Sequence, residues 1–464
     1  MSQATQFRPA GQHGHHDGRG GGVPLPVPGI PLEDPIDPAR WPDVAARPHG
    51  LVRAAIARML LTRIAARLPL RVVLPTGESF GGGMPGAPQL RLHRPLDFYR
   101  RVGAAGLIGF GESFMAGDWD CDDLPGLLTI MASQMATLVP PRLQWLRDAY
   151  VRHHPPDEDA DEVGARRNIQ RHYDLSNDLF ALFLDETMTY SAALFRQDAT
   201  GLPEAPPDST SASASFLADA QRRKIDRLLD ITRVGPGTRV LEIGTGWGEL
   251  AIRAAARGAQ VHSITISSAQ RDLAARRIEA AGLSERATVE LLDYRRATGQ
   301  YDVILSVEMI EAVAERYWPD YFAALDHLLA PGGRIGLQAI TMSHERMLAT
   351  RRTHTWILKY IFPGGLIPSV TAIKENLART RLRMTGQQDF GQHYALTLQI
   401  WRERFCAAGP ALARLGFDEV FARMWLLYLS YSEAGFRSGY LQVSQFLLEP
   451  ETAGRGEADE AARP

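Results

Sequence analysis

From Thr238 to Thr341 the chain alternates short apolar runs with amphipathic helical stretches, a pattern that restricts it to a parallel sheet covered by helices on both faces. TRVLEIGTG reads as an apolar strand ending in glycines, and WGELAIRAAARG as a helix closed by Gly258. AQVHSITIS is a second strand, SAQRDLAARRIEAAG a second helix, and ATVELLDY a third strand. YDVILSVEMI is a fourth strand, PDYFAALDHLLAPGG a helix with a Pro-Gly-Gly stop, and RIGLQAIT a fifth strand. Ligands of such sheets bind outside the carboxyl ends of the strands.

Those strand ends carry ligand-type residues. The first ends in Glu242-Ile243-Gly244-Thr245-Gly246-Trp247-Gly248. Glycines there allow a tight turn and close approach of backbone to ligand, and the next helix offers free N–H groups. The spacing is GxGxG, so the GxGxxG dinucleotide fingerprint is not matched. Glu242 places an acidic residue two positions before the first glycine. Thr265 and Gln270, after the second strand, suit ribose hydroxyls, and Asp293 and Tyr294, after the third, suit an adenine. The expectation is a nucleotide-type cofactor, with a nicotinamide oxidoreductase as the reading that these details weigh against.

With 464 residues, 45% of them hydrophobic, the chain has room for two or three domains. Lys plus Arg (51) balances Asp plus Glu (53), which argues against a nucleic-acid binder. Cys121 and Cys406 sit in no metal-type cluster, so no metal site is expected and a reducing cytoplasm fits. No signal peptide and no run of about 18 apolar residues is visible.

The expected organisation is a disordered tail over 1–45, a small α+β domain over 46–137, a linker over 138–163, a large domain over 164–450 and a disordered tail over 451–464. His13, His15 and His16 in the first tail read as chance histidines rather than metal ligands. LVRAAIARMLLTRIAARL, at 51–68, is punctuated by Arg53, Arg58, Arg63 and Arg67. It reads either as a packed helix with its arginines in water or as a basic helix lying on an anionic membrane.

NIQRHYDLSNDLFALFLDETMTYSAALF (168–195), Gln221–Lys224, VLEIGTGWGE, TISSAQ, SVEMIEAV, YIFPGG and IPS occur in an order that resembles the cyclopropane-fatty-acid synthase family. GFGESFMAGDWD resembles that family's N-terminal domain. SVEMIEAV, LQAITM, TWILKYIFPGG and YSEAGFRSGYL resemble, more narrowly, its actinobacterial branch tied to tuberculostearic acid, a 10-methyl-branched chain. The resemblance implies a Rossmann-like class I methyltransferase fold with a seven-stranded, mostly parallel sheet. It implies S-adenosylmethionine as donor and a phospholipid-bound unsaturated acyl chain as substrate. The protein would act from the cytoplasm, peripherally at the inner face of the membrane. A separate reductase and a homodimer are compatible with it; nucleic acid is not a partner.

Residue by residue, the resemblance implies that Tyr190 and Ser191 hold the donor's methionine end, with Gly244 and Gly246 contacting it through the backbone. Thr265 and Gln270 would take the ribose; Asp293 and Tyr294 would flank the adenine. Ala192, Glu311, Gln338, Ile340 and Tyr394 would form a small anion site holding bicarbonate, with Glu311, Tyr394 and Gln338 as the catalytic group. The family commonly has Cys at position 192 and many members have His at 338. Glutamine cannot exchange a proton near neutral pH as histidine can, which leaves the wiring of the anion site open.

The chemistry needs a sulfonium methyl in line with an alkene in a dry pocket, negative charge or π faces for the resulting carbocation, and a base. Glu311 is the expected organiser of that base; Glu308, three residues earlier, is left undecided. Tyr173, Phe180, Phe183, Tyr190, Trp247 and Phe362 are candidate walls of an acyl channel. His172 reads as structural. Arg402, Arg404 and Arg437 read either as lipid-phosphate ligands or as a solvated face. The same cation yields a methylene branch or a cyclopropane, depending on where the base sits, and the narrower resemblance favours the methylene. A catalytically idle lipid-binding relative is the remaining alternative, supported only by Ala192 and Gln338.

Overall fold

The computed structural model describes residues 35–134, 176–205 and 210–451. The histidines at 13, 15 and 16, the 138–163 linker, His172, Tyr173 and the final tail beyond residue 451 lie outside the described residues.

A short helix α1 (Pro42–Ala45) and a longer α2 (Leu51–Ala65) lead into the first unit. Four short strands, β1 (Arg71–Val73), β2 (Ser79–Phe80), β3 (Gln89–Leu92) and β4 (Trp119–Cys121), form a sheet in the order β2-β1-β3-β4. Helix α3 (Pro95–Met115) bends at Gly106, whose φ of 56° no helix accommodates, and α4 (Leu124–Ser133) follows. The α+β expectation therefore holds for this region.

The expected disorder over 1–45 is corrected at its end. Trp41 and Val44 are buried, and Trp41 Nε1 donates to Asp418 Oδ2 at 2.8 Å. Arg101, held by Asp118 at 3.0 Å, donates to the Val44 carbonyl at 2.7 Å. Two apolar side chains with satisfied polar edges offset the ordering entropy of this segment, which its proline content had masked.

The large sheet orders its seven strands β10-β11-β9-β8-β5-β6-β7. Here β5 is Arg239–Ile243, β6 Gln260–Thr265, β7 Ala287–Leu291, β8 Tyr301–Val307, β9 Leu329–Thr341, β10 Leu382–Asp389 and β11 Gln442–Pro450. Strands β5 to β9 pair in parallel, and β11 alone runs antiparallel to its neighbours β9 and β10. One face is covered by α5 (Asn177–Ala181) with the loop after it, α6 (Thr210–Ile231), α7 (Glu249–Ala256) and α8 (Ser268–Ala280). There Leu228, Leu229, Ala254 and Ile278 join Val240 and Leu305 in one apolar cluster. The other face is covered by α9 (Trp318–Leu328), whose Tyr321, Phe322 and Leu325 pack with Ile304, Ile335 and Leu337. This is the seven-stranded, mostly parallel Rossmann-like architecture that the resemblance implies, and it contains the five parallel strands that the alternation predicts.

After β9 come α10 (His344–Thr350), α11 (Trp356–Tyr360) and α12 (Val370–Leu377), and after β10 come α13 (Gly391–Ala407), α14 (Gly409–Arg414) and α15 (Glu419–Arg437). Helix α15 packs against α13 and also against α3 and α4, which fastens the first unit to the second. At that seam Trp356 Nε1 donates to Met115 Sδ at 3.4 Å, and Glu112 accepts from both Lys359 and the Tyr360 hydroxyl. A Cβ at Gly111 would lie 2.4 Å from the Trp356 ring, so only glycine permits this approach.

Helix α2 packs through Ala54 and Ala57 and leaves Leu51, Val52, Ile56, Met59 and Leu60 exposed beside Arg53, Arg58, Arg63 and Arg67. Among the described residues no helix is long and apolar enough to cross a membrane.

Because Trp41 couples the start of the chain to α15, Trp41→Ala should destabilise the protein by about 3 kcal/mol. A urea midpoint equal to that of the unaltered protein would show that the segment contributes nothing to the fold.

Candidate active site

Strand β5 ends where the chain turns through Gly244 (φ 92°), Gly246 (φ 52°) and Gly248 (φ 90°) into α7. A Cβ on Gly244 would meet Met309 Sδ at 2.5 Å, so both backbone conformation and packing require glycine there. After β6, Thr265 Oγ1 donates to Gln270 Oε1 at 2.9 Å, and Ser267 caps α8 by accepting from the Gln270 amide. After β7, Asp293 caps a short 3-10 turn and pairs with Arg295 at 2.7 Å, while the Tyr294 ring meets Tyr321 edge-on.

Tyr190, Ser191, Glu242, Gly244, Gly246, Thr265, Gln270, Asp293 and Tyr294 all line one cavity of about 150 Å³ at the carboxyl ends of β5 to β8. The structure thus brings together every residue expected to hold the donor. The Tyr190–Ser191 loop is tied down from α6. Gln221 Nε2 donates to the Ser191 carbonyl at 2.8 Å, and Lys224 Nζ donates to Ser191 Oγ at 2.7 Å.

Glu242 accepts from Ser263, which shares a 2.7 Å hydrogen bond with Thr245. Burial pushes the Glu242 carboxyl up to about 8, with Ser263 and Lys224 pulling the other way. Burial likewise lowers the Lys224 amine to about 8. A neutral carboxylic acid facing a cavity suits a cationic ligand, whose charge would stabilise the ionised form.

Of the residues expected to surround an anion, Ala192, Gln338 and Tyr394 gather on Glu308, and Ile340 on Glu311. The Ala192 amide donates to Glu308 Oε1 at 3.0 Å, Gln338 Nε2 donates to the same oxygen at 2.8 Å, and the Tyr394 hydroxyl donates to Oε2 at 2.7 Å. Burial raises the Glu308 carboxyl above its usual range, and these three donors and Lys224 oppose that shift. Burial, then the charge of Glu308, holds the Tyr394 phenol well above its ordinary value, so it remains a donor. Glu311 instead accepts from the Ile340 amide through Oε1, and its Oε2 is buried with no hydrogen-bond partner. Burial first, and Glu308 second, push Glu311 up to about 8. The pair therefore divides into one carboxylate dressed by donors and one carboxyl held neutral near pH 7.

The different surroundings of the two side chains have a local cause. Glu308 and Glu311 do not share a helical face, because only Ile310–Ala312 forms a 3-10 turn and Glu308 has a φ of 51°. A left-handed backbone costs a non-glycine residue about 1–2 kcal/mol, and it turns the Glu308 side chain onto the donor cavity, which Glu308 lines and Glu311 does not.

Gln338 replaces a titratable ring with a fixed donor. Its Oε1 accepts from Gln445 Nε2 at 3.0 Å, and Gln445 Nε2 also donates to the Lys224 carbonyl while its Oε1 accepts from Arg227. This relay aims the amide nitrogen of Gln338 at Glu308.

Aromatic rings adjoin the carboxylate. Tyr190 stacks on Trp401 with centroids 5.3 Å apart, meets Phe180 edge-on at 5.0 Å, and shares a 2.6 Å hydrogen bond with the Tyr428 hydroxyl. Phe183 and Trp247 extend the cluster through Phe180, and Phe362 meets Tyr428 at 5.7 Å at an exposed edge. Trp401, Trp425 and Tyr428 escaped the sequence reading, because α13 and α15 carry none of the strand-end signals that mark the donor site. Arg402 and Arg437 both pair with the buried Glu433, and Arg404 donates to the Leu184 carbonyl at 3.2 Å. These arginines hold the fold around the site.

Comparison with known proteins places this geometry among relatives. The family described as mycolic acid cyclopropane synthetase matches residues 161–446. The tuberculostearic acid methyltransferase UfaA1 of Mycobacterium tuberculosis is 56% identical over 419 residues, covering 89% of this chain and 96% of that protein. The cyclopropane-fatty-acyl-phospholipid synthase of Escherichia coli is 33% identical over 395 residues, covering 82% and 92%. Among solved structures, mycolic acid cyclopropane synthase CmaA1 complexed with SAH and CTAB aligns with a TM-score of 0.54 at 30% identity, covering 61% of this chain and 98% of that one.

Since Glu242 is protonated near neutral pH without ligand, binding of the donor's ammonium group should release a proton at pH 7, and affinity should rise as pH approaches 8. Calorimetry in two buffers of different ionisation heat reads the proton directly; an identical heat in both would remove Glu242 from contact with the ammonium.

Proposed function

The chain belongs to the mycolic acid cyclopropane synthetase family, and on that premise we propose that it methylates the cis double bond of an unsaturated acyl chain on phospholipid, giving a 10-methylene chain. The observation that carries this reading is the junction of a nucleotide-type cavity with a carboxylate and an aromatic cluster.

When bound, S-adenosylmethionine supplies an electrophilic methyl group on a sulfonium. Tyr190, Ser191, Lys224 and Glu242 hold the methionine end, and the strand-end pairs hold ribose and adenine. The alkene π pair forms the new C–CH3 bond as the S–C pair returns to sulfur, which leaves a cation on the neighbouring carbon. Tyr190, which lines the cavity with Trp401 stacked behind it, offers a π face to that charge. A hydride then moves from the methylated carbon to its neighbour, and loss of a methyl proton leaves an exocyclic double bond. Loss of that proton before the hydride moves closes a cyclopropane ring, the second reading, favoured by the likeness to cyclopropane synthases. The 56% identity to a tuberculostearic acid methyltransferase favours the methylene. Conversion of the methylene to a methyl branch needs a hydride and a proton, hence a separate reductase.

The idle-relative reading loses its support. Ala192 contributes a backbone amide, for which a cysteine thiol is not needed, and Gln338 contributes a positioned donor. Fatty acids from a host expressing the protein and containing oleoyl phospholipid should gain one CH2 by gas chromatography with mass spectrometry. Ozonolysis should yield a ketone from an exocyclic methylene; a ring resistant to ozone would establish the cyclopropane reading, and an unchanged acyl profile would refute methyl transfer.

The protein reaches its substrate as a peripheral protein at the inner face of the membrane, with α2 as the contact. Its exposed Leu51, Val52, Ile56, Met59 and Leu60 are interspersed with the exposed Arg53, Arg58 and Arg63, a mixture of apolar and basic side chains that matches an anionic lipid surface. Ile56→Asp combined with Met59→Asp should reduce sedimentation with phosphatidylglycerol vesicles at least about tenfold while donor affinity is unchanged. Undiminished sedimentation would assign membrane contact to another surface.

A further inference from the structure

The resemblance assigns bicarbonate to a site made by Ala192, Glu311, Gln338, Ile340 and Tyr394, and these residues do not fit that ion as they stand. The Ala192 amide, the Gln338 amide nitrogen and the Tyr394 hydroxyl all end on the carboxylate of Glu308, and the Ile340 amide ends on Glu311. A second anion would have to take donors away from Glu308 and sit beside its charge. Lys224 is the cation that acts on Glu308, and Glu311 beside it brings a second carboxyl rather than a further positive charge.

We propose that the Glu308 carboxylate is itself the base of the reaction, a resident substitute for a bound oxyanion, so that the protein turns over without bicarbonate. This rests on the methyl-transfer reading above. A carboxylate and bicarbonate present the same planar pair of oxygens to a set of donors. Here one oxygen takes Ala192 and Gln338, and the other takes Tyr394. The same side chain lines the donor cavity, so it faces the place where the methyl group arrives. Three further details fit a base built into the chain. The orientation of Gln338 is imposed by Gln445 rather than left free to serve a variable ligand. The proton-exchanging histidine of many relatives is absent, because a side-chain carboxylate needs only to be held. Finally, Glu308 occupies a left-handed backbone conformation that glycine would adopt without strain, so a long charged side chain is kept where the backbone favours none.

In the proposed step a C–H bond of the transferred methyl breaks, its electron pair becomes the new carbon–carbon bond, and the proton passes to a Glu308 oxygen. The protonated side chain returns the proton to solvent before the next turnover.

Three proteins test this: the unaltered enzyme, Glu308→Gly and Glu308→Gln. Each is assayed on oleoyl phospholipid vesicles in carbon-dioxide-free buffer and again with added bicarbonate or formate. The unaltered enzyme should show equal rates in all three. Glu308→Gly should be at least about a hundredfold slower without added anion and recover at least about tenfold with formate or bicarbonate, because it vacates the volume of the carboxylate. Glu308→Gln should be equally slow and gain nothing, since its amide fills the same volume. Donor affinity by calorimetry verifies folding of each variant. Line broadening of carbon-13-labelled bicarbonate provides a readout independent of turnover, with binding expected for Glu308→Gly and none for the unaltered protein. The proposal is overturned if the unaltered enzyme binds or requires bicarbonate, or if Glu308→Gly keeps its rate in carbon-dioxide-free buffer. Failure of the unaltered enzyme to alter lipid under any condition would instead refute methyl transfer, and the line-broadening result would still decide the fate of the anion site.

Discussion

A carboxylate lifted out of water beside a ligand cavity is unstable unless donors replace its hydration, and the structure around Glu308 is organised to supply them. Each donor comes from a different part of the chain. Ala192 lies in the loop fastened by α6, Gln338 on β9, and Tyr394 on α13, while Glu308 leaves the end of β8. None of these contacts exists until the whole sheet and both covering layers have assembled. The price of the strained backbone at Glu308 is met by that assembly. Glu311, so near in sequence, accepts from the Ile340 amide, and burial and the charge of Glu308 keep it a neutral neighbour.

The donor cavity and the carboxylate are coupled through shared supports. Lys224 donates to Ser191 of the donor loop, and its carbonyl accepts from Gln445, which orients Gln338 toward Glu308. Helix α6 thus touches the Ser191 loop and the Gln445–Gln338 relay through the two ends of one residue, the Lys224 ammonium and the Lys224 carbonyl. Tyr190 lines the cavity, and behind it Trp401 of α13 stacks on its ring while Phe180 meets it edge-on. In the chemistry proposed, a cation forms between these π faces and a single negative charge, and the site offers it no other strong base.

The donor site was legible because it obeys local rules. Glycines at a strand end, a carboxylate just before them, and polar residues after the next two strands follow from the βα repeat; the seven residues so identified line one cavity, together with Tyr190 and Ser191, which only the resemblance implies. The α+β character of the first unit was equally local, since its hairpin and its glycine-broken helix are written in short segments. The carboxylate centre was not legible. The different surroundings of Glu308 and Glu311 depend on one left-handed residue, Glu308 itself, and spacing alone carries no sign of it. Trp401 and Tyr428 meet Tyr190 across more than two hundred residues of sequence, and Trp41 finds its partner Asp418 over a longer span still. Arg402 and Arg437 looked free to bind phosphate until Glu433 appeared beneath them.

The most direct examination of this account is a crystal structure of the protein with S-adenosylhomocysteine, grown in bicarbonate-containing medium at a resolution that distinguishes a side-chain carboxylate from a free ion. The account predicts the Glu308 carboxylate bridging Ala192, Gln338 and Tyr394, with the sulfur of the ligand directed toward it and no further anion between them. A Glu308 side chain swung out to solvent, with a carbonate-shaped ion in its place, would contradict it.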